Sequence, residues 1–242
     1  MNTNNQEDVF DINQVPKQPG ILLFGISMSR ISNTQTPEKC FEYMEHFIPK
    51  IIKPEVGLNF IYSDGLYLNS TEQASLLKNK YDALIHQHKY GFLKLLEKKP
   101  VYITKSFNYV SWSQMILETK RFHEFFSQLK EVYSKDKRFQ DLVVKDLDIE
   151  QPENEQINFI LEEILIFYLA SKGEIVIKND FLEGKHKWVL WCYPGKPLYS
   201  EIYLYRNNFF NLENTENKYQ NSYYDLENKK LYDYSKIEID KI

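Results

Sequence analysis

Short apolar runs and longer amphipathic stretches take turns along this 242-residue chain. Residues 21–27 (ILLFGIS) are continuously apolar and predict a buried strand. Thr36-Pro37-Glu38 reads as an N-cap with proline at the first helical position, opening a helix to about Ile52. LNFIYSD at 58–64 predicts a second strand. Ser70 or Thr71 caps a long helix reaching about Lys98, with Leu77, Tyr81, Leu84, His88, Phe92 and Leu95 as its core stripe. PVYITK at 100–105 predicts a third strand. Helical periodicity then covers about 112–134 and 136–145, and EQINFILEEILIFYLAS at 155–171 is apolar enough for a central helix. WVLWCY (188–193) and EIYLY (201–205) predict strands.

Strands that alternate with helices predict an α/β domain with a parallel sheet flanked by helices. Residues 1–19, polar and carrying Pro16 and Pro19, read as a mobile lead-in. Residues 20–242 read as a single domain, with a peripheral tail after about Asn207. Ligands in such folds bind at the carboxyl ends of the strands, where the prediction places Ser27, Asp64 and Tyr193.

Composition narrows the function. Hydrophobic residues make up 43% and charged residues 26%, ordinary for a globular chain. The net charge of −4 argues against a generic nucleic-acid binder, so any RNA contact needs a local basic patch. Cys40 and Cys192 can build neither a disulfide framework nor a metal site and read as buried thiols of a reducing compartment. No apolar run approaches the roughly 18 residues of a membrane span, and the polar Met1–Asp11 segment lacks a signal-peptide core. The expected location is the cytoplasm, with no membrane partner. Phosphate-cradling glycine loops and zinc-type Cys/His spacings are absent. His86 and His88 point about 200° apart on a helix and cannot chelate one metal.

Four groups of residues carry candidate chemistry. Gly25-Ile26-Ser27-Met28-Ser29 places a serine where a strand turns into a loop, close to a nucleophile elbow but without its second glycine. The same pattern also suits a purely structural serine. Glu162 and Glu163 sit inside the apolar helix about 100° apart, so one can face solvent while the other points inward. An inward glutamate needs a raised pKa or a cationic partner, such as a substrate ammonium. Both carboxylates being solvated is the alternative. Tyr193-Pro194 ends an apolar strand, where a phenol can donate into a cleft, or can be one more amphipathic tyrosine. Lys80, Lys94 and Lys98 share a helix face that could track a phosphate backbone or simply keep the helix solvated.

Taken together, ILLFGIS, INFILEEILIF and VLWCYPGKPLY resemble the tRNA-dependent cyclodipeptide synthases, in order, from about Ile21 to Leu204. The resemblance implies a Rossmann-like fold similar to the catalytic domain of class I tyrosyl- and tryptophanyl-tRNA synthetases, without their ATP-binding motif. It implies that Ser27 accepts an aminoacyl group, that Glu163 contacts the substrate ammonium and that Tyr193 assists. It implies a first side-chain pocket lined by Leu23, Gly25, Ile166 and Trp191. The family's usual tyrosine four residues before the glutamate is Phe159 here. Arg30 replaces the commoner Asn three residues after the serine, and Pro194 follows Tyr193, as in the branch with a Tyr-Pro pair. The substrates implied are two successive aminoacyl-tRNAs. No cofactor and no metal are called for, and a monomer is expected. Two rivals remain. A serine hydrolase would need a late histidine, for which only His186 is available. A non-catalytic RNA-binding module would use the lysine face.

Overall fold

The computed structural model describes residues 19–51, 56–64, 71–98, 107–175, 187–213, 215–217 and 219–239. Its centre is strand β1 (Gly20–Ser27), flanked by β2 (Val56–Ser63) and β4 (Trp188–Tyr193). Strand β3 (Phe107–Ser111) lies outside β2, and β5 (Ser222–Asp225) and β6 (Lys230–Asp233) continue the other side, giving the order β3-β2-β1-β4-β5-β6. All pairings are parallel except β5–β6. This is the α/β sheet that the alternating pattern predicts.

Because successive side chains on a strand point to opposite faces, β1 feeds two cores. Leu22, Phe24 and Ile26 pack beneath helices α1 (Pro37–Ile51) and α2 (Thr71–Glu97). Ile21 and Leu23 pack on the other face, beneath α3 (Trp112–Glu118), α4 (Phe122–Lys135), α5 (Lys137–Leu147), α6 (Asn154–Ser171) and α7 (Tyr199–Asn207). Burial on both faces explains why β1 and β4 read as near-continuous apolar runs and why β2 departs from one only at the buried Asn59. Helix α6 is apolar all round because it touches the sheet as well as α4, α5 and α7. Both cysteines are buried and free.

Several boundaries differ from the sequence reading. The strand expected at 100–105 falls in residues 99–106, outside the described residues, and the third strand observed is Phe107–Ser111. The helix expected over 112–134 is two, since Thr119 ends α3 and hydrogen-bonds its own preceding turn. EIYLY is not a strand but the body of α7. Asp146 on α5 caps that helix, accepting from Tyr199 N at 2.9 Å and Ser200 N at 2.7 Å, a partner that local periodicity does not reveal. The residues after Asn207, read as a peripheral tail, supply two sheet strands, and Tyr223, Tyr224 and Tyr234 are buried. On α2 the buried stripe runs through Ile85, His88, Phe92 and Leu96, one step round from the expected Leu84 and Leu95. Leu77 lies outside the described side chains.

Candidate active site

The carboxyl ends of β1 and β4 separate after the pair Phe24–Cys192. Pro194 and Gly195 turn β4 aside. Gly195 adopts φ +106°, a conformation glycine tolerates, and its N–H donates to the buried Asp225 at 3.0 Å. Below this parting, a cavity of about 220 Å³ opens on the α6 face of the sheet. Gly25, Ser27, Arg30, Phe159, Glu163, Ile166, Trp191 and Tyr193 all line it, bringing together most of the residues singled out from the sequence.

Ser27 ends β1 on the same face as Gly25. Its hydroxyl lies 2.9 Å from that of Ser29, and it stands near enough to the Tyr193 phenol to lower that group's pKa. The Tyr193 ring lies directly over Gly25. A Cβ added there would meet Tyr193 Cδ2 at 2.9 Å, so the glycine makes room for the ring. The carbonyl of Tyr193 accepts from Leu226 N and from the Tyr223 hydroxyl at 3.0 and 3.3 Å, so the C-terminal strands help to fix it. Burial, and after it the Glu163 carboxylate, push the Tyr193 phenol up to about 12, against opposing effects of Arg30 and Ser27. Tyr193 is thus a neutral hydrogen-bonding group at neutral pH, not a phenolate.

Glu163 projects from α6 into the cavity. Burial raises its carboxyl to about 7, offset by the Arg30 guanidinium and reinforced by Asp146. Arg30 stands at the rim, 5.4 Å from the centre of the Tyr193 ring, and donates Nη1 to the Pro194 carbonyl at 3.4 Å. A carboxylate poised near neutrality beside an apolar wall suits an incoming ammonium ion. No histidine lines the cavity among the described residues.

The remaining candidates are placed differently. Leu23 is fully buried below Gly25 and forms no part of the cavity wall. Pro194 is buried beside the cavity, contributing its carbonyl to Arg30. Glu162, where one glutamate of the pair was expected to face solvent, is 7% exposed. One of its carboxyl oxygens lacks a hydrogen-bond partner. Burial, then the nearby Asp64 carboxylate, raise it to about 8. Helix α6 has no solvent face in this stretch, so a 100° turn leads from one interior to another. Asp64 itself accepts from the Ser113 backbone at 2.8 Å and from the Ser113 hydroxyl.

Lys80, Lys94 and Lys98 are all exposed. Lys80 and Lys94 belong to α2 and Lys98 directly follows it, on the opposite side of the sheet from the cavity. Since β2 and β3 run parallel, α2 descends away from the strand ends, and Lys98 lies at its far end. His186 lies outside the described residues. The sequence pattern did not single out Ser29, Ile61, Trp112 or Phe167 as cavity walls. Phe167 packs on Trp191 with ring centres 4.2 Å apart, and lies one turn beyond Glu163, a spacing that could have flagged it. Among the described residues, no helix is long and apolar enough to cross a membrane, and no three acidic, histidine or cysteine side chains cluster for a metal.

No protein-family model matches the sequence, and no curated protein does either. Solved structures do resemble the fold. A CDPS from Staphylococcus haemolyticus is 15% identical, covering 85% of this chain and 89% of its own, with a TM-score of 0.52. A cyclodipeptide synthase from Bacillus thermoamylovorans is 14% identical, covering 83% and 86%, with a TM-score of 0.50. A CDPS from Fluoribacter dumoffii is also 14% identical, covering 77% and 81%, with a TM-score of 0.50. At these identities the likeness is one of fold.

Proposed function

We propose that this chain is a tRNA-dependent cyclodipeptide synthase, joining two aminoacyl groups into a diketopiperazine through an acyl-enzyme on Ser27. The observation that carries the reading is the convergence of Ser27, Tyr193 and Glu163 on one cavity at the open ends of a parallel sheet. At about 220 Å³ the cavity is smaller than the roughly 300–1,000 Å³ of drug-sized ligand sites. It suits a single aminoacyl group whose tRNA remains outside.

In the proposed reaction Ser27 Oγ attacks the ester carbonyl of the first aminoacyl-tRNA. The bond to the tRNA oxygen breaks, and that oxygen leaves with a proton. The Glu163 carboxylate holds the substrate ammonium, a charge-assisted contact at a buried site. The Tyr193 phenol orients Ser27 and faces the carbonyl oxygen on which charge develops. The amine of the second aminoacyl-tRNA attacks the seryl ester, the ester carbonyl passes to nitrogen, and the dipeptide reforms an ester on Ser27 by displacing the second tRNA. The free amine of the dipeptidyl-enzyme then attacks its own seryl ester, closing the ring and restoring the hydroxyl. No histidine is required, which separates this reading from a serine hydrolase. Walls formed by Ile166, Phe167, Trp112 and Trp191 favour an apolar first amino acid.

The test is to incubate the protein with a mixed aminoacyl-tRNA pool and follow both diketopiperazines and mass added to Ser27. Wild type gives both, and Ser27→Ala gives neither while remaining folded. A cyclic dipeptide made by Ser27→Ala, or a covalent label elsewhere on the chain, refutes the assignment.

A further inference from the structure

Ser27 lies where the central strand loses one neighbour. Toward β2 the ladder continues to Ser27–Ser63, whereas toward β4 it stops at Phe24–Cys192. In a parallel ladder, a residue donates its N–H to one carbonyl of the adjacent strand and accepts from the N–H two residues further on. Continued by two, the β4 register would bring Pro194 opposite Ile26. Proline has no N–H to give, and the Pro194 carbonyl is turned toward Arg30 instead. The Gly25 carbonyl and the Ser27 N–H are thus left facing the parting of the strands, where an unpaired buried backbone group is costly.

The carboxamide of Gln35 occupies that position. Its Nε2 donates to the Gly25 carbonyl at 2.7 Å, and its Oε1 accepts from Ser27 N at 2.8 Å. These are the two bonds that a residue with a free N–H at position 194 of a continued β4 would have made. Gln35 is 1% exposed. Its own backbone is tied down, with N donating to the Arg30 carbonyl at 2.9 Å and the carbonyl accepting Cys40 Sγ at 3.5 Å. On the other edge the Ser63 hydroxyl accepts from Met28 N at 3.2 Å and donates to the Ile26 carbonyl at 3.3 Å. Beyond the ladder, side chains therefore hold the chain on both sides of Ser27.

We propose that Gln35 is a positioning residue for the nucleophile: its carboxamide replaces the strand that Pro194 interrupts, and so fixes the Ser27 peptide with Oγ directed into the cavity. Asparagine would be too short from the same backbone position, and leucine would fill the volume without either bond. The catalytic consequence rests on the function proposed above, while the clamp itself does not.

Two measurements separate these levels. The first, residue-resolved amide hydrogen exchange, needs no substrate. In Gln35→Leu the Ser27 amide should lose about tenfold of its protection relative to Leu22, which stays in the ladder, as expected for one lost hydrogen bond. Unchanged relative protection overturns the proposal. The second is single-turnover acylation of Ser27 by aminoacyl-tRNA. At saturating substrate Gln35→Leu should acylate about 100-fold more slowly, the scale of a misplaced reacting group, with tRNA affinity unaltered. Gln35→Glu supplies the donor to Gly25 only when its carboxyl is protonated, so its rate relative to wild type should rise as pH falls. A residue that merely fills the core would show neither that pH signature nor the split between rate and affinity. Acylation at the wild-type rate in Gln35→Leu overturns the proposal. If wild type itself takes no aminoacyl group, the proposed function fails, and hydrogen exchange still decides the clamp. Should Gln35→Leu not fold, Gln35→Glu and Gln35→Met carry the same comparisons.

Discussion

Replacing Glu162 by glutamine should stabilise the protein, and increasingly so as pH rises. Burial and the Asp64 carboxylate keep this group protonated up to about pH 8, against an ordinary 4.5. The unfolded chain releases the same proton near 4.5. Above that pH the folded state binds more protons than the unfolded one, so stability falls as pH rises and goes on falling until the folded carboxyl ionises. Below 4.5 both states are protonated and the contribution is fully present. Each unit of pKa difference is worth about 1.4 kcal/mol. The rise from 4.5 to about 8 therefore corresponds to a loss on the order of 4–5 kcal/mol at alkaline pH, out of the roughly 5–15 kcal/mol that holds a typical domain together. Glutamine has the shape of the neutral acid and does not titrate. Urea unfolding of both proteins between about pH 5 and 9 reads the difference directly. The two should agree within about 1 kcal/mol at the acid end and diverge by at least about 2 kcal/mol at the alkaline end. The buried Glu201, also raised to about 8, is common to both and cancels. Parallel profiles, or a variant less stable than wild type at the alkaline end, would refute the reasoning that Glu162 is stored as a neutral acid.

Other expectations follow from the same geometry. The kcat/KM for cyclic dipeptide formation should rise through about pH 7 as Glu163 ionises, and Glu163→Gln should lose both that limb and most of the activity; an identical pH profile in the variant would remove Glu163 from the mechanism. Gly25→Ala must move the Tyr193 ring from a 2.9 Å contact, which should cost about 1–3 kcal/mol of stability and roughly 10–100-fold in Ser27 acylation; wild-type acylation would show that the ring position is immaterial. Of the lysines on α2 and just after it, Lys80→Ala should weaken tRNA binding more than Lys98→Ala, each true phosphate contact flattening the log–log salt slope by about 0.7–0.9. Equal, negligible effects from both would assign the whole face to solvation.

Local signals reach the sheet and the strand ends at Ser27 and Tyr193, whereas Glu163 is set apart from Glu162 only by the family resemblance. A strand buried on both faces is an apolar run whatever its neighbours, and Ser27 and Tyr193 are simply where two such runs stop. The features that local signals miss depend on partners remote in the chain. EIYLY carries strand-forming residues, and only the Asp146 cap, more than fifty residues earlier, shows that a helix starts there. The tyrosine-rich segment after Asn207 looks surface-like until β4 is present to pair with Tyr223 and Tyr224. One glutamate of the pair Glu162 and Glu163 reads as solvated because a 100° turn about a surface helix leads outward, whereas this stretch of α6 is packed on every side. Gln35 sits in a turn with no periodicity, and its role exists only because Pro194 interrupts a strand far away in sequence.

The position of β1 also sets a schedule for the making of the protein. Gly20 pairs with Trp188, so a newly synthesised β1 has β2 beside it early but waits for β4 until most of the chain has left the ribosome. At about 5–20 residues per second that interval is roughly 10–30 s. Throughout it, the β4-facing edge of the most apolar strand has no partner, an invitation to chaperones and to aggregation. Over the same interval Ser27 has no Tyr193 beside it. The surroundings of Ser27 are thus completed late, once the segment that carries Tyr193 has been made.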